Sequence, residues 1–190
     1  MDDGRVLPAR HRLNVDEYYR MAEAGILEWN SRVELIDGKI IDMAPIGMDH
    51  GATVSGLAKT LILACGDRAI VRVQGPVRLD LENELQPDFA VLRLRADNYR
   101  VHGHPGPPNI LLLVEVSDSS LRFDRTVKLP LYARAGIVEY WIVNLRDRLV
   151  EGFRDPGPDG YATMPTYRPG DSVALAVMPE IVVALVRAFE

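Results

Sequence analysis

The stretch of residues 109–144, NILLLVEVSDSSLRFDRTVKLPLYARAGIVEYWIVN, decides the fold that the sequence predicts. Its apolar run at 110–114 is too short to span a membrane and is typical of a buried strand. After a polar turn, Val127 and Leu131 mark one face of a helix, and residues 139–143 form a second β-rich run. Strand, helix and strand in this order predict a crossover unit with neighbouring strands, so we expect an α/β fold with a parallel or mixed sheet.

A carboxylate stands where the buried run ends. Glu115 follows five apolar residues, and a carboxylate in such surroundings needs a partner when it is buried. Lys128 lies one step around the helix from its apolar face, so a salt bridge between Glu115 and Lys128 without any metal is one interpretation. The other is a functional site, because active sites in sheets of this kind lie at strand ends.

Composition indicates an ordinary globular protein. The chain has 190 residues, of which 47% are hydrophobic and 26% are charged, and we predict a loose arm at residues 1–13 followed by one domain at 14–190. No apolar run approaches the length of a membrane helix, and residues 1–13 lack the apolar segment of a secretory signal. The single cysteine, Cys65, excludes an internal disulfide and a multi-cysteine zinc site, so we expect a cytoplasmic protein.

Two further acids occupy places comparable to that of Glu115. Glu34 lies in the first strand of a hairpin that the Asp-Gly pair at 37–38 predicts, and Asp88 follows a proline at a strand start. If these strands pair, the carboxylates converge, and Asp88, Glu115 and the carbonyl of Val116 can hold a hard divalent cation. The net charge of −5 weighs against a broad nucleic-acid surface but is compatible with a metal site of clustered acids.

The rest of the chain predicts further helices and strands. Asn14 and Glu17 form a capping box for a helix that ends near residue 24, and Asp49 is the expected cap of a helix over 50–64. Strands are expected over residues 39–43, 70–74, 77–81, 89–94, 149–154, 161–167 and 171–177, with a short helix or an edge strand over 181–189.

A set of short motifs appears in a fixed order over residues 14–155. The motifs are Glu34-Leu35-Ile36-Asp37-Gly38, Met43 with Pro45, His50-Gly51, Gln86-Pro87-Asp88, Glu115-Val116-Ser117, Ser119-Ser120, Asp124, Lys128, Leu131-Tyr132-Ala133, Gly136 and Glu139-Tyr140-Trp141. Each motif is weak alone, but their order and joint presence resemble the Uma-type restriction endonucleases, a branch of the PD-(D/E)xK nuclease superfamily. Ser117 departs from the superfamily pattern, since it stands where a lysine normally follows the second acid. In the Uma-type branch the lysine lies in the following helix, and Lys128 matches it.

The resemblance implies a restriction-endonuclease-like core, which is a mixed sheet flanked by helices, and hydrolysis of DNA phosphodiesters that depends on Mg²⁺ or Mn²⁺. It implies Asp88 and Glu115 as metal ligands together with the Val116 carbonyl, and Glu34 as a further ligand or a water-positioning acid. Lys128 is expected to assist the attacking water. The candidate catalytic residues are therefore Glu34, Asp88, Glu115 and Lys128.

Three more residues are expected to contact and orient the catalytic side chains without binding the metal themselves. They are Gln86, His50 and Ser117. Lys128 has a long side chain and can reach a strand-end site from a helix, but only if the helix packs with that face toward the sheet.

DNA is the expected partner, and the candidate phosphate contacts are Arg93, Arg95 and Arg100, with Arg122 and Arg125 beside the site. We expect a homodimer, because a restriction-type nuclease must cut two strands and two-fold symmetry presents two sites. A rival hypothesis keeps the fold as an inactive binding or regulatory module, dimeric through the region of Trp141 or through the C-terminal hairpin. A nuclease of RNA or of branched DNA is a third hypothesis, and the sequence does not discriminate it from the first.

Overall fold

The computed structural model describes residues 10–28, 31–101 and 103–189. Most of the arm predicted over residues 1–13 therefore lies outside the described residues. Within the described ranges, no helix combines the length and the apolar content that crossing a membrane requires.

Helix α1 is Val15–Glu23 and helix α2 is Met48–Cys65. A third helix, called the composite helix below, consists of α3 (Leu121–Phe123), a π-helical turn (Asp124–Lys128) and α4 (Leu129–Arg134). Two short 3-10 helices are Pro107–Asn109 and Leu185–Phe189. The strands are β1 (Val33–Ile36), β2 (Lys39–Asp42), β3 (Ala69–Val73), β4 (Val77–Arg78), β5 (Glu84–Leu85), β6 (Phe89–Arg93), β7 (Ile110–Ser117), β8 (Glu139–Asn144), β9 (Leu149–Gly157), β10 (Gly160–Thr163), β11 (Thr166–Tyr167), β12 (Ser172–Ala174) and β13 (Val182–Ala184).

The central feature is a mixed sheet with strand order β10-β9-β8-β7-β6-β3, to which β11 is added beside β9. Strands β7 and β8 are parallel neighbours, as the crossover pattern predicts, and the other pairs of this sheet are antiparallel. A smaller sheet has the order β2-β1-β5-β4, and β12 pairs with β13. The prediction of a mixed sheet flanked by helices is confirmed.

Each face of the central sheet is covered by a separate hydrophobic cluster. Helix α2 and the C-terminal strands β12 and β13 pack on the face that carries Val114 and Trp141. The composite helix and strands β4 and β5 pack on the face that carries Leu113 and Tyr140. Because strand side chains alternate between faces, Glu115 projects toward the second face, between the large and the small sheet.

Local signals in the N-terminal part produce the elements that they predict. Asn14 Oδ1 accepts a hydrogen bond from the Glu17 N–H, and the Glu17 carboxylate accepts one from the Asn14 N–H, which is the predicted capping box. The turn at Asp37 and Gly38 has φ values of 48° and 67°, and two consecutive positive φ values are typical of a type I′ hairpin.

Some element boundaries differ from the prediction. Helix α2 begins at Met48 with Gly47 as its N-cap residue, so the prediction of Asp49 as the cap was wrong; Asp49 lies in the first turn, where its charge favours the helix dipole. The strand expected over 77–81 ends at β4, since Asp80 accepts hydrogen bonds from Glu82 and Asn83 and makes a turn instead.

The composite helix is not the regular α-helix that its sequence pattern predicts. The N–H of Leu129 donates to the carbonyl of Asp124, five residues earlier, and Pro130 has no N–H with which to continue a regular ladder. The π-helical turn adds one residue to this turn of helix. As a result both Asp124 and Lys128 are buried, although the regular pattern placed Lys128 beside the apolar face.

Candidate active site

The register of β6 and β7 places two of the predicted acids next to each other. Phe89 pairs with Val114, so Asp88 and Glu115 follow as the next opposite pair on adjacent strands. Residues opposite each other in an antiparallel pair project from the same face of the sheet, with Cβ atoms about 4.5–5.5 Å apart. The two carboxylates therefore meet at the end of the strands, as the sequence predicts.

Asp88 is held by groups from three other elements. Its Oδ2 accepts a hydrogen bond of 2.8 Å from the Val116 N–H and lies 3.1 Å from Nε2 of His50, which is in the first turn of α2. Its Oδ1 accepts a 3.2 Å hydrogen bond from the side-chain amide of Gln74, just beyond β3. These contacts fix the orientation of the carboxylate, and they place His50 next to Asp88, while its supporting role in catalysis stays a prediction.

Lys128 connects the small sheet to the central sheet. Its Nζ lies 3.0 Å from Glu34 Oε1 on β1 and 2.9 Å from Glu115 Oε1 on β7. Tyr132, one turn later in the helix, donates a 3.0 Å hydrogen bond to the same Glu115 oxygen, and the Gln86 N–H donates a 2.8 Å hydrogen bond to Glu34. The composite helix thus presents Lys128 to the acids, which is the tertiary condition that the sequence could not test.

Ser117 has a defined contact although it lacks the charge of a lysine. Its hydroxyl donates a 2.6 Å hydrogen bond to Asp124 Oδ2, and the hydroxyl of Ser120 donates a second one of 2.7 Å to the same oxygen. Asp124 is the first residue of the π-helical turn and Lys128 is the last. The serine in the position of the missing lysine therefore anchors the helix segment that carries Lys128.

The acids and the lysine line one cavity of about 390 Å³. The side chains are nearly enclosed, with exposed fractions of 3% for Glu34, 7% for Asp88, and 5% for both Glu115 and Lys128. Asp42, Asp118 and Asp124 also line this cavity, so six carboxylates face two cations, the buried Lys128 and the exposed Arg32. The site therefore has an excess of negative charge in a poorly solvated place.

The pKa values of several groups in the site are raised. Burial, reinforced by the charges of Asp124, Asp88 and Glu34, raises the pKa of Glu115 well above its usual range, although Lys128 opposes this rise. Burial alone would lower the pKa of Lys128, but the surrounding carboxylates, led by Glu115, outweigh it and raise that pKa. Lys128 is therefore charged, and it is the buried cation of the site.

The donor set fits a hard divalent cation. Asp88 and Glu115 supply two adjacent carboxylates, and among the described residues Glu115 Oε2 receives no hydrogen bond, although its side chain lines the cavity. The N–H of Val116 already faces Asp88, and its carbonyl lies on the same edge of β7. In residues 10–28, 31–101 and 103–189, no three His, Cys, Asp or Glu side chains are grouped closely enough to hold a metal. Mg²⁺ is commonly bound by one or two protein carboxylates, and other oxygen atoms complete its coordination shell.

The predicted phosphate contacts do not come together at this cavity. Arg93 ends β6 about 17 Å from Asp88 along the strand, and it donates to the Pro108 carbonyl. Arg125 forms a two-bond ion pair with Glu151, and Arg122 is exposed on α3. None of these three arginines lines the cavity.

Trp141, which the rival hypothesis placed at a dimer contact, is fully buried. Its indole N–H donates a 2.8 Å hydrogen bond to Glu139 on the same strand. A dimer therefore cannot form through the Trp141 side chain.

Three residues of the site were not assigned to it from the sequence: Gln74, Asp124 and Tyr132. Asp124 and Tyr132 lie four residues before and after Lys128, and this spacing on a helix could have indicated a shared face. Gln74 has a φ of 45°, a left-handed conformation that is uncommon for a residue with a side chain and is typical of functional sites. No feature of the sequence around Gln74 indicates that its amide reaches Asp88.

Comparison with known proteins gives one family and one fold. A family model named Uma2, described as "Putative restriction endonuclease", matches residues 15–186. A solved structure of "a putative nuclease belonging to DUF820 from Anabaena variabilis ATCC 29413" has a TM-score of 0.71 and 16% identity, and the match covers 93% of this chain and 97% of that one. At this identity the similarity shows the fold alone. No curated protein matches the chain.

Proposed function

The chain belongs to the Uma2 family of restriction-endonuclease-like proteins, and from this premise we propose that it is a divalent-metal-dependent endonuclease that hydrolyses DNA phosphodiester bonds. The family description supports a nuclease. The dependence on Mg²⁺ or Mn²⁺, the DNA substrate and the roles of individual residues are our proposal.

The observation that carries the proposal is the meeting of Asp88, Glu115, Glu34 and Lys128 in one cavity, from two sheets and a helix. Burying more carboxylates than cations is energetically unfavourable. Clusters of this kind are found mainly at functional sites, where the charges take part in binding or catalysis. The serine pair on Asp124 and the π-helical turn act to bring Lys128 to these acids.

Each side chain then has a role that follows from its contacts. Asp88 and Glu115 would hold the cation with the Val116 carbonyl. A bound divalent cation supplies Lewis acidity, which polarises the phosphoryl oxygen and neutralises charge in the transition state. Lys128 is charged and donates hydrogen bonds toward Glu34 and Glu115, so its ammonium group can orient the attacking water and stabilise negative charge on the phosphate. Glu34 is placed to position that water.

The direct test is cleavage of plasmid and linear DNA in Mg²⁺ or Mn²⁺ by the wild type and by Asp88→Asn and Glu115→Gln. Both substitutions should abolish metal-dependent cleavage while circular dichroism shows a folded protein. Asp159→Asn is the matched control, because Asp159 is exposed in the β9–β10 turn and should keep full activity. Wild-type rates in both site variants would overturn the proposal.

One observation favours an inactive binding module as a second candidate. Lys128 already pairs with Glu34 and Glu115, and a self-contained buried ion pair needs no metal. Calorimetric titration of Mn²⁺ separates the two candidates. The nuclease requires binding that Asp88→Asn removes, whereas the binding module predicts no heat of binding in either protein.

A further inference from the structure

A group of arginines surrounds one buried tyrosine at the edge of the central sheet, away from the acids. We call it the Tyr99 patch, and its members are Arg72, Arg93, Arg95, Tyr99 and Arg100. The guanidinium carbon of Arg95 lies 4.8 Å from the Tyr99 ring centroid and that of Arg72 lies 5.7 Å from it, which are cation–π distances. The Tyr99 hydroxyl donates a 2.8 Å hydrogen bond to the Arg93 carbonyl, so one ring connects three of the arginines.

Charge pairing leaves several of these arginines available. Arg95 forms an ion pair of 2.7 Å with Asp97. Arg72 and Arg93 donate only to backbone carbonyls, of Pro76 and Pro108, and neither has a carboxylate partner in the part of the chain that the structure describes.

The position of Arg72 is set by the backbone beneath it. A Cβ atom at position 75 would collide with the Cγ and Cδ atoms of Arg72. Because residue 75 is glycine, the arginine side chain can fold back over the turn. Its guanidinium group is therefore held between this turn and the Tyr99 ring. An arginine held in this way loses less side-chain entropy when it binds an anion.

The Tyr99 patch and the acid cavity share the same turn. Arg72 pairs with Ala90 across β3 and β6, and Gln74, two residues later, donates its side-chain amide to Asp88. Arg72, Ala90 and Asp88 therefore project from one face of the sheet, and Arg72 is about 7 Å along the strand from Gln74. The Arg72 end of the Tyr99 patch therefore lies close to Asp88.

We propose that the Tyr99 patch binds the phosphate backbone of the DNA whose scissile phosphate enters the acid cavity. The inference rests on the proposed nuclease function. The cavity is lined by six carboxylates against the two cations Arg32 and Lys128, so its net charge repels a polyanion and further attraction must come from elsewhere on the protein. Phosphate contacts by arginine supply it without reading the sequence of the bases.

The test measures binding of a fluorescein-labelled DNA duplex by anisotropy, in EDTA to stop metal-dependent cleavage and over a series of KCl concentrations. Arg72→Gln with Arg93→Gln should reduce the slope of log K against log[salt] by about 2 and weaken binding at least about tenfold at low salt. Arg134→Gln with Arg168→Gln is the control, since both residues are exposed and lie toward the opposite edge of the central sheet. The control pair should keep the wild-type slope.

An unchanged slope in the patch variant, or an equal loss in the control pair, overturns the inference. Tight binding of an RNA duplex of the same sequence with no binding of DNA also overturns it. If the Arg72 variant does not fold, Arg93→Gln with Arg100→Gln, both at exposed positions, makes the same test. If the patch binds DNA but the protein is not a nuclease, the DNA will bind with the predicted slope and remain uncut in Mg²⁺ and Mn²⁺.

Discussion

At the scale of single residues, Lys128 determines the character of the site. It is the buried cation of a cavity whose lining includes Glu34, Asp88, Glu115 and Asp124, and it bonds two of these acids directly. The lysine therefore stabilises the folded protein, and under the proposed function it also limits how a cation can enter. Both effects can be measured.

Lys128→Met should destabilise the protein by about 3–5 kcal/mol, because it removes the charge partner of buried carboxylates and leaves them uncompensated. Mg²⁺ should restore part of the lost free energy of unfolding by replacing the missing positive charge. Urea denaturation with and without Mg²⁺ measures both effects. Lys59→Met, at an exposed position of α2, should change stability little. Equal stability of the two variants would contradict the charge argument.

Cation binding should weaken as the pH falls, and the decline should begin above the usual carboxyl range. Burial raises the pKa of Glu115, so a proton competes with the cation for this carboxylate at a pH higher than its ordinary value of 4.5. The affinity falls with the pH because the cation binds only the deprotonated carboxylate, and this form is lost as the pH drops through the raised pKa. Calorimetric titration of Mn²⁺ between pH 5 and 8 tests this, and a constant affinity over that interval would rule it out.

At the scale of secondary structure, the π-helical turn decides which side chains reach the site. It begins at Asp124 and ends at Lys128, and Pro130 just after it cannot donate to the regular helical ladder. Turns of this type are frequent at functional sites. The serines at 117 and 120 hold its first residue to the end of β7.

Asp124→Ala should lower the free energy of unfolding by about 1–3 kcal/mol and should slow cleavage, because two serine hydroxyls lose their acceptor and Lys128 loses its anchor. Asp124→Asn keeps an acceptor oxygen and should be closer to the wild type in stability. Chemical denaturation and cleavage rates of the two variants provide the comparison. If the alanine variant cleaves DNA at the wild-type rate, the anchor is not needed to place Lys128.

At the scale of the whole molecule, the distribution of charge and the assembly matter most. The acids are gathered between the two sheets, and arginines lie around Tyr99, of which Arg72 and Arg93 have no carboxylate partner among the described residues. Under the proposed function, one protomer would carry one active site. Cutting both strands of a duplex requires two.

A homodimer is therefore expected in solution. Sedimentation equilibrium should give a mass of twice 21.2 kDa, and dilution should shift it toward the monomer if the contact is weak. A mass of 21.2 kDa at every concentration tested would mean that one protomer cuts one strand at a time, and nicked plasmid should then accumulate before linear product.

Much of this architecture follows from short-range patterns in the sequence. The capping box at Asn14, the Asp-Gly turn and the buried run that ends at Glu115 each produce the predicted element, because their signals act between residues close in the chain. The motifs also identify the acids Glu34, Asp88 and Glu115, which do lie together.

Only the tertiary structure decided which side chains meet. Lys128 reaches the acids because a π-helical turn rotates it inward, and Gln74 reaches Asp88 because β3 pairs with β6 in one register. The grouping of Arg72 with Arg95 around Tyr99 depends on a turn more than twenty residues away in sequence from that ring. The physical reason is that a sequence pattern specifies local conformation and burial, whereas strand register and helix rotation are set by packing between distant segments.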